Sequence, residues 1–207
     1  LFEKKLWDET RVPVFEQAVA LAGYGNSGLQ NPVTFGKGWV KESLIEIFED
    51  NLTYPSLLCP IMKEPKSKLK HLKLMNGQVW RWNRPIVGIP EQPGQKPHLR
   101  IEHRPLAAGP SSIDLMANFA LYLGLLKFYA EQIQYGNMNL PSFEIARSNF
   151  YSCAQWGMKS DVIWIDGKTY NVQSLLLDLL LPQAKQGLEQ LELDADEISE
   201  YLGRIMT

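Results

Sequence analysis

The order of the predicted elements along the chain is the feature that most restricts its fold. Strand-like segments lie mostly in the first half of the 207 residues, and helix-like segments lie mostly in the second half. Strands and helices therefore do not alternate as they would in a parallel α/β fold. The order predicts an α+β fold, with an antiparallel sheet and helices packed on one side of it. We expect a single domain over residues 1–207, strand-rich over 1–106 and helix-rich over 107–207.

The first half combines extended segments with one helix and several turns. Pro13 indicates an edge strand or an extended lead-in over residues 10–21, and a loop is expected over 23–32 because of its Gly and Asn content. Apolar residues at helical spacing predict a helix from near Gly38 to near Asn51. Two β-rich runs surround Asn76 and Gly77, a strong hairpin signal.

The second half is mainly helical. Ser111 is a predicted N-cap, with Asp114 three residues later, for a long helix that is apolar almost all round. Such a helix should be buried on most of its faces. The remaining predictions are a helix capped by Ser142, a hairpin at Asp166-Gly167, a leucine-rich helix kinked near Pro182, and a last helix capped by Asp194.

Composition excludes several classes of protein. Hydrophobic residues make up 45% and charged residues 21%, which argues against disorder. The net charge of −2 gives no basic excess, so we expect neither a nucleic acid nor a membrane as partner. Cys59 and Cys153 are predicted to be buried free thiols in a reducing cytoplasm. No signal peptide or apolar stretch suited to spanning a bilayer is recognised.

The segment PHLRIEHRPL, residues 97–106, predicts a half-buried strand with an unusual charged face. Because side chains alternate along a strand, Arg100, Glu102 and Arg104 share one face. One interpretation is a solvated face whose ion pairs contribute little. The other is chemical: a carboxylate can hold Mg²⁺, and an arginine two residues along can bind a phosphate oxygen. Glu-x-Arg would then be half of an ATP·Mg²⁺ phosphoryl-transfer site.

A neighbouring segment, VWRWNRP, has similar character. Alternation places Arg81 and Asn83 on one face and Trp80, Trp82 and Arg84 on the other. The two tryptophans could stack on adenine or simply pack in the core or at its rim. Burying two arginines without partners is costly, so their presence in this segment favours a charged ligand beside it.

Taken together, HLKLMNGQVWRWNRPIVG and HLRIEHRPLAAGPSSIDLMANFALYLGLL resemble the C-terminal half of the glutamate–cysteine ligase superfamily, and in particular its bacterial carboxylate–amine ligase branch. The resemblance covers roughly residues 6–132. It implies a curved antiparallel sheet of the glutamine-synthetase-like kind. It also implies a cytoplasmic ligase that uses ATP and Mg²⁺ to form an amide through an acyl phosphate. The implied substrates are glutamate or a similar carboxylate and an acceptor amine.

The resemblance also implies roles for particular residues. Glu102 matches a metal-ligand glutamate, and Arg104 matches the arginine that contacts the transferred phosphate. Arg84 matches an active-site arginine of the preceding strand. From the strand faces and the Trp/Arg-rich segment, rather than from the resemblance, we also expect cofactor contacts from Arg100, Asn83 and Trp82. The sequence departs from the pattern in having His103 between Glu102 and Arg104. It also has no Glu-x-Glu strand for the other metal ligands.

Two expectations follow from these departures. The start at Leu1 leads us to expect the C-terminal half of a longer enzyme, whose N-terminal half would be its partner. The alternative is a non-catalytic module derived from the same fold and used for ligand binding or assembly. The leucine-rich C-terminal helices would suit a packed interface, so a homo-oligomer is possible.

Gly36-Lys37-Gly38 is a weaker candidate site. It precedes a predicted helix and could bind phosphate through backbone N–H groups, although it lacks a known phosphate-loop spacing. The alternative is a plain loop-to-helix turn.

Overall fold

A computed structural model describes residues 7–19, 31–56, 58, 60–90, 92, 94–107 and 109–206. It is a mixed α+β structure, 52% helical, which confirms the predicted class. The described residues form small two-stranded sheets, two of them antiparallel and one parallel. Two compact units are present. We call residues 11–105 the strand unit, and residues 1–10 with 106–207 the helical unit. The prediction of one domain from a longer ligase stays a prediction.

The strand unit contains short elements joined by loops. In chain order they are α1 (Arg11–Val19), β1 (Val33–Thr34), α2 (Ile45–Asn51), a 3₁₀ turn (Lys66–Lys68), α3 (Lys70–Gln78), β2 (Trp80–Arg81), β3 (Asn83–Gly88) and β4 (His98–His103). β1 pairs with β2 in parallel, and β3 pairs with β4 antiparallel.

The first element of the strand unit is helix α1, so the predicted edge strand over residues 10–21 is wrong over the described part. Pro13 is the third residue of α1. A proline is tolerated there because the first N–H groups of a helix have no intrahelical acceptor. Val12 is fully buried whereas Val14 is exposed, which is how a helix distributes neighbouring side chains. The predicted loop over 23–32 lies mostly outside the described residues.

Helix α2 is shorter than predicted because the chain before it is held in a loop. The Glu46 carboxylate accepts hydrogen bonds from the backbone N–H groups of Lys41, Glu42 and Ser43, at 2.8–3.1 Å. These bonds fix residues 41–43 outside the helix. They also lower the pKa of Glu46 below its ordinary value, with the Ser43 contribution largest.

The hairpin predicted at Asn76-Gly77 is wrong, because both residues lie in helix α3. The Asn76 side chain is buried rather than exposed in a turn. Its Nδ2 donates to the carbonyl oxygen of Pro85 at 2.7 Å, and its Oδ1 accepts from Asn51 Nδ2 at 3.0 Å. These long-range bonds are available to Asn76 only when residues 70–78 are helical in this fold.

The strand predicted over residues 97–106 is confirmed as β4. Its pairing places Arg84 opposite Glu102 and Ile86 opposite Arg100. The predicted half-burial of this strand is wrong at Leu99 and Ile101, whose side chains are exposed by 48% and 42%.

The helical unit has longer helices. Its elements are α4 (Ser112–Gln134), α5 (Phe143–Trp156), a 3₁₀ turn (Gly157–Lys159), β5 (Asp161–Ile163), β6 (Thr169–Asn171), α6 (Val172–Leu175), a π turn (Leu176–Leu180), α7 (Leu181–Glu189) and α8 (Ala195–Ile205). Its core is formed where α4, α7 and α8 pack together, around Ala120, Ala184, Leu188 and Leu202.

The local signals of the helical unit are confirmed. Ser111, Ser142 and Asp194 each accept a hydrogen bond from a backbone N–H two or three residues later. The hairpin of β5 and β6 turns through Asp166 and Gly167, with Gly167 at φ +78°. The left-handed conformation at this position is why glycine is favoured there.

Helix α4 is less buried than its composition predicts. Leu115, Phe119, Leu126 and Ile133 are exposed by 41–52%, so one face of the helix is apolar and open. This corrects the expectation that most faces are buried. By length and composition, α4 is long and apolar enough to cross a membrane. A single helix of this kind is weak evidence for a membrane span, because the core helix of a soluble protein can pass the same test. The prediction that no apolar stretch suits a bilayer is therefore not supported at α4, and the cytoplasmic localisation stays a prediction.

Candidate functional site

The predicted charged face is organised by the pairing of β3 with β4. Residues opposite each other in an antiparallel pair project on the same side. Arg84 and Glu102 occupy such a pair. The Nε and Nη2 atoms of Arg84 lie 2.9 and 2.8 Å from the same Oε2 atom of Glu102.

Arg104 joins this pair from the segment just after β4. Its backbone N–H donates to the carbonyl oxygen of Trp82 at 2.9 Å, which continues the strand direction past His103. The Nε atom of Arg104 lies 3.6 Å from Glu102 Oε2. One carboxylate oxygen therefore faces two guanidinium groups.

An aromatic surface supports Arg104. Its guanidinium carbon is 3.4 Å from the centre of the Trp80 ring, a cation–π arrangement. Phe15 from α1 stacks on Trp80 with ring centres 3.7 Å apart. The planar stack restricts the orientation of the guanidinium, and such restriction lowers the entropy that is lost when an anion binds.

A third arginine, Arg11, lies beside the segment that carries Arg104. Arg11 donates to the backbone carbonyl oxygens of Arg104 and Pro105, which places a third guanidinium beside the pair. Burial, and then the charges of Arg84 and Arg11, lower the pKa of Arg104, while Glu102 raises it. Arginine nevertheless remains protonated at any physiological pH. Two guanidinium groups thus face the Glu102 carboxylate, and a third lies beside Arg104.

One group of Arg104 is left without a partner. Its Nη1 atom is buried, and no hydrogen-bond acceptor reaches it from the described residues. A buried cationic N–H without an acceptor is costly, and a bound anion would remove that cost. The cluster of Arg84, Glu102 and Arg104, which we call the arginine cluster, is therefore suited to binding an oxyanion.

The same surroundings do not suit a magnesium ion at Glu102. Within the described part of the chain, no group of three or more acidic, histidine or cysteine side chains could hold a metal. Glu102 Oε2 already faces two arginines, and their charge repels a divalent cation. Mg²⁺ also prefers a full shell of oxygen ligands. The predicted metal role of Glu102 is not supported by its neighbours.

The three predicted cofactor contacts lie in different environments. Arg100 is exposed, and its Nη1 is 2.9 Å from His98 Nε2. Asn83 is exposed, with its Oδ1 2.7 Å from His103 Nδ1. Trp82 is only 2% exposed and packs edge-on to Trp80, so core packing accounts for it.

Arg81 has a structural explanation. It is 5% exposed, forms an ion pair with Asp50, and donates from Nε to Asn51 Oδ1 at 2.9 Å. Burial alone would raise the pKa of Asp50, but hydrogen bonds from Lys37 and Arg81 outweigh this effect and lower it. The buried arginine is thus paired within the strand unit.

The second candidate, Gly36-Lys37-Gly38, is not a phosphate loop in this structure. The following helix begins only at Ile45. Lys37 Nζ is bound to Asp50 at 2.8 Å and to Thr53 Oγ1 at 2.7 Å. The interpretation as a plain turn is the better one.

Of the two cysteines predicted to be buried free thiols, Cys153 lies among the described residues. Cys153 is a free, half-buried thiol whose pKa is raised by burial, as expected of an unreactive cysteine. Cys59 lies outside the described residues.

Sequence reasoning missed Arg11 and Phe15 as neighbours of the cluster. Both are more than sixty residues from β3 in sequence, and their segment carried a strand signal. No local pattern could have placed them beside Trp80 and Arg104.

Comparisons with known proteins add no constraint on this site. No family model, curated protein or solved structure matches the chain.

Proposed function

We propose that this chain is the C-terminal catalytic half of an ATP-dependent carboxylate–amine ligase similar to glutamate–cysteine ligase. In this proposal the arginine cluster binds a phosphate of the nucleotide or the phosphorylated substrate. The sheet of β3 and β4 would belong to a larger antiparallel sheet of the glutamine-synthetase-like kind, completed by the N-terminal half of the longer chain. The substrates would be glutamate or a similar carboxylate and an acceptor amine.

One observation carries the proposal: the Nη1 atom of Arg104 is buried, cationic and without an acceptor among the described residues. It lies on a guanidinium already oriented by Trp80 and Glu102. Phosphoryl transfer depends mainly on positioning and on neutralising charge, and oriented arginines supply both. The sequence resemblance independently gives Arg104 and Arg84 such roles.

In this proposal Glu102 orients the two arginines through its Oε2 atom. Magnesium would enter with the nucleotide, since Mg²⁺ is commonly held by substrate phosphates with one or two carboxylates. The described residues offer no site for the ion by themselves, so no catalytic step is assigned to it.

The first test is anion binding by this chain. Titration calorimetry with Mg·ATP and with pyrophosphate should give saturable binding, and Arg104→Ala should weaken it by at least about tenfold, as for loss of one charge-assisted contact. Arg147→Ala, an exposed arginine on α5, is the matched control and should bind as the wild type does. Failure of both ligands to bind contradicts the proposal.

The second test is catalysis by the longer enzyme that the proposal implies. Amino-acid-dependent ATP hydrolysis should fall by orders of magnitude in Arg104→Ala and in Glu102→Gln. Wild-type turnover in both variants would remove the arginine cluster from the mechanism.

The alternative is a non-catalytic module for ligand binding or assembly. A ligand present at 100 times its dissociation constant should stabilise the chain by about 2.7 kcal/mol. Stabilisation by phosphate compounds without any ATP turnover in the longer protein would favour this alternative.

A further inference from the structure

A cavity of about 490 Å³ lies within the helical unit, where four parts of the chain meet. The end of α4 contributes Tyr129, and the segment after α4 contributes residues 137–139. The β5–β6 hairpin contributes Trp164, Asp166 and Tyr170. The π turn and α7 contribute Leu179 and Gln183. The volume is within the range of small-molecule sites.

Two aromatic rings form a corner of this cavity. The ring centres of Tyr129 and Trp164 are 6.2 Å apart, and their planes meet at 68°. The Tyr129 hydroxyl donates to Gln183 Oε1, which fixes the ring on the α7 side. The rings meet edge to face and both line the cavity, so aromatic ring surface forms part of its wall. The negative face of an aromatic ring attracts a cation.

The Tyr129 hydroxyl carries no charge at physiological pH. Burial raises the pKa of Tyr129 to about 12, although a hydrogen bond from Trp164 acts in the opposite direction. The phenol is therefore neutral and contributes only its ring and its hydrogen-bonding oxygen.

The charge of the lining comes from Asp166. Among the described lining residues, it is the side chain that is negatively charged at neutral pH. Its Oδ2 accepts from the Tyr170 hydroxyl at 2.8 Å, and its Oδ1 accepts from the backbone N–H of Lys168 at 3.1 Å. The hydrogen bond from Tyr170, followed by those from Lys168, lowers the pKa of Asp166. The carboxylate is thus held ionised and oriented.

Lys168 places a positive charge beside Asp166. Its Nζ lies 3.6 Å from Asp166 Oδ2, but its side chain is 74% exposed. An exposed ion pair of this kind contributes little and exchanges readily with water. It would compete only weakly with a ligand cation for Asp166.

The helix beside the cavity is irregular. Residues Leu176–Leu180 form a π turn, and Leu179 from this turn lines the cavity. Pro182 follows in α7 and has no N–H for the regular helical bond. Single π turns within helices are frequent at functional sites. The π turn lies directly before Pro182 and carries Leu179 of the cavity lining. The kink predicted near Pro182 stays a prediction.

We propose that this cavity binds a small organic cation, an alkylated or primary ammonium group. The charge would lie in the corner of Tyr129 and Trp164 and within reach of the Asp166 carboxylate. Gln183 and Asn139 would offer hydrogen bonds to polar groups of the ligand. This site is independent of the proposed ligase function and of the arginine cluster.

The test compares two probes of the same shape and different charge. Choline carries a quaternary nitrogen, and 3,3-dimethylbutan-1-ol replaces that nitrogen by carbon. Titration calorimetry with the full chain should show saturable binding of choline. The neutral alcohol should bind at least about tenfold more weakly, since it lacks the cation–π and ionic attractions.

Two variants locate the site. Asp166→Asn keeps a side chain that forms similar turn hydrogen bonds but removes the charge. Trp164→Leu removes one aromatic wall. Each should weaken choline binding by at least about tenfold. Asp161→Asn, an exposed carboxylate on the same hairpin outside this cavity, is the matched control and should leave binding unchanged.

Three results would overturn the site. The first is equal affinity for choline and the alcohol. The second is the absence of saturable choline binding up to about 50 mM, since a site with a higher dissociation constant would be too weak to be useful. The third is wild-type affinity for choline in Asp166→Asn. If Trp164→Leu does not fold, Asp166→Asn still tests the site, because residue 166 is exposed and the substitution there should not prevent folding.

Discussion

Gly124 of α4 and Gly187 of α7 meet backbone to backbone in the core of the helical unit. A Cβ atom added to Gly187 would lie 2.8 Å from the carbonyl carbon of Gly124, and still closer to its oxygen. A Cβ atom added to Gly124 would meet the backbone of Ala184 in the same way. The two helices can therefore approach this closely only because both positions lack a side chain.

The first prediction concerns this helix crossing. Gly187→Ala should lower the free energy of unfolding by about 2 kcal/mol, because the added methyl group forces the helices apart. Urea denaturation measures the change. Gly203→Ala in α8 is the matched control: nothing lies within 4 Å of its added Cβ. It should change stability by under ~1 kcal/mol and in the stabilising direction. Equal losses in both variants would contradict the close approach.

The second prediction concerns the buried polar network of the strand unit. Asn76→Ala should lower the free energy of unfolding by about 2–4 kcal/mol, since it leaves the Pro85 carbonyl and Asn51 Nδ2 without partners. The same substitution at the half-buried Asn118 of α4 should cost less than ~0.5 kcal/mol. A small effect at Asn76 would mean that residues 70–78 do not form this helix.

The third prediction concerns Tyr129 and alkaline pH. The folded-state pKa of Tyr129 is raised to about 12, from an ordinary value of 10.0. For a group with a raised pKa, the contribution to stability is complete below the unfolded-state pKa and is lost as pH rises through the folded-state pKa. The difference in unfolding free energy between wild type and Tyr129→Phe should be constant below pH 10.0 and change between 10.0 and about 12. The wild type should lose more stability. A constant difference across that range would contradict the burial of the hydroxyl.

The fourth prediction concerns the pair of Arg84 and Glu102. A double-mutant cycle with Arg84→Ala and Glu102→Ala should give a coupling free energy of about 0.5–1 kcal/mol, because the Glu102 side chain is 42% exposed. Two donors to one oxygen place the value toward the upper part of that range. Phosphate at high concentration should reduce this coupling if it competes with Glu102 for the arginines. A coupling near zero would mean that the pair is not formed in solution.

Two Asx-Gly signals show where sequence reasoning succeeds and fails. Asp166-Gly167 forms the predicted hairpin because Gly167 takes a left-handed conformation and the flanking residues pair locally. Asn76-Gly77 carries a similar signal but lies in α3. Residues 70–78 are rich in Lys, Leu, Met and Gln, which favour helices. The buried bonds of Asn76 decide between the two structures.

The arginine cluster was likewise predictable from the sequence only in part. The alternating pattern correctly marks residues 97–106 as a strand, whereas the observed pairing of β3 with β4 places Arg84 opposite Glu102. The sequence has no means of showing that Arg104 stacks on Trp80 or that Arg11 reaches the same place. It also suggested a metal ligand at Glu102, whereas the neighbours of that carboxylate are cations.

The sequence by itself determined the α+β class, β4, the helix caps at Ser111, Ser142 and Asp194, and the turn at Gly167. Each depends on interactions between residues a few positions apart, whose free energies are set by local geometry. Only the tertiary structure decided the helical state of α1 and α3, the close approach of Gly124 and Gly187, and the charge around Glu102. These depend on contacts between residues distant in sequence, where burial and buried hydrogen bonds outweigh local preference.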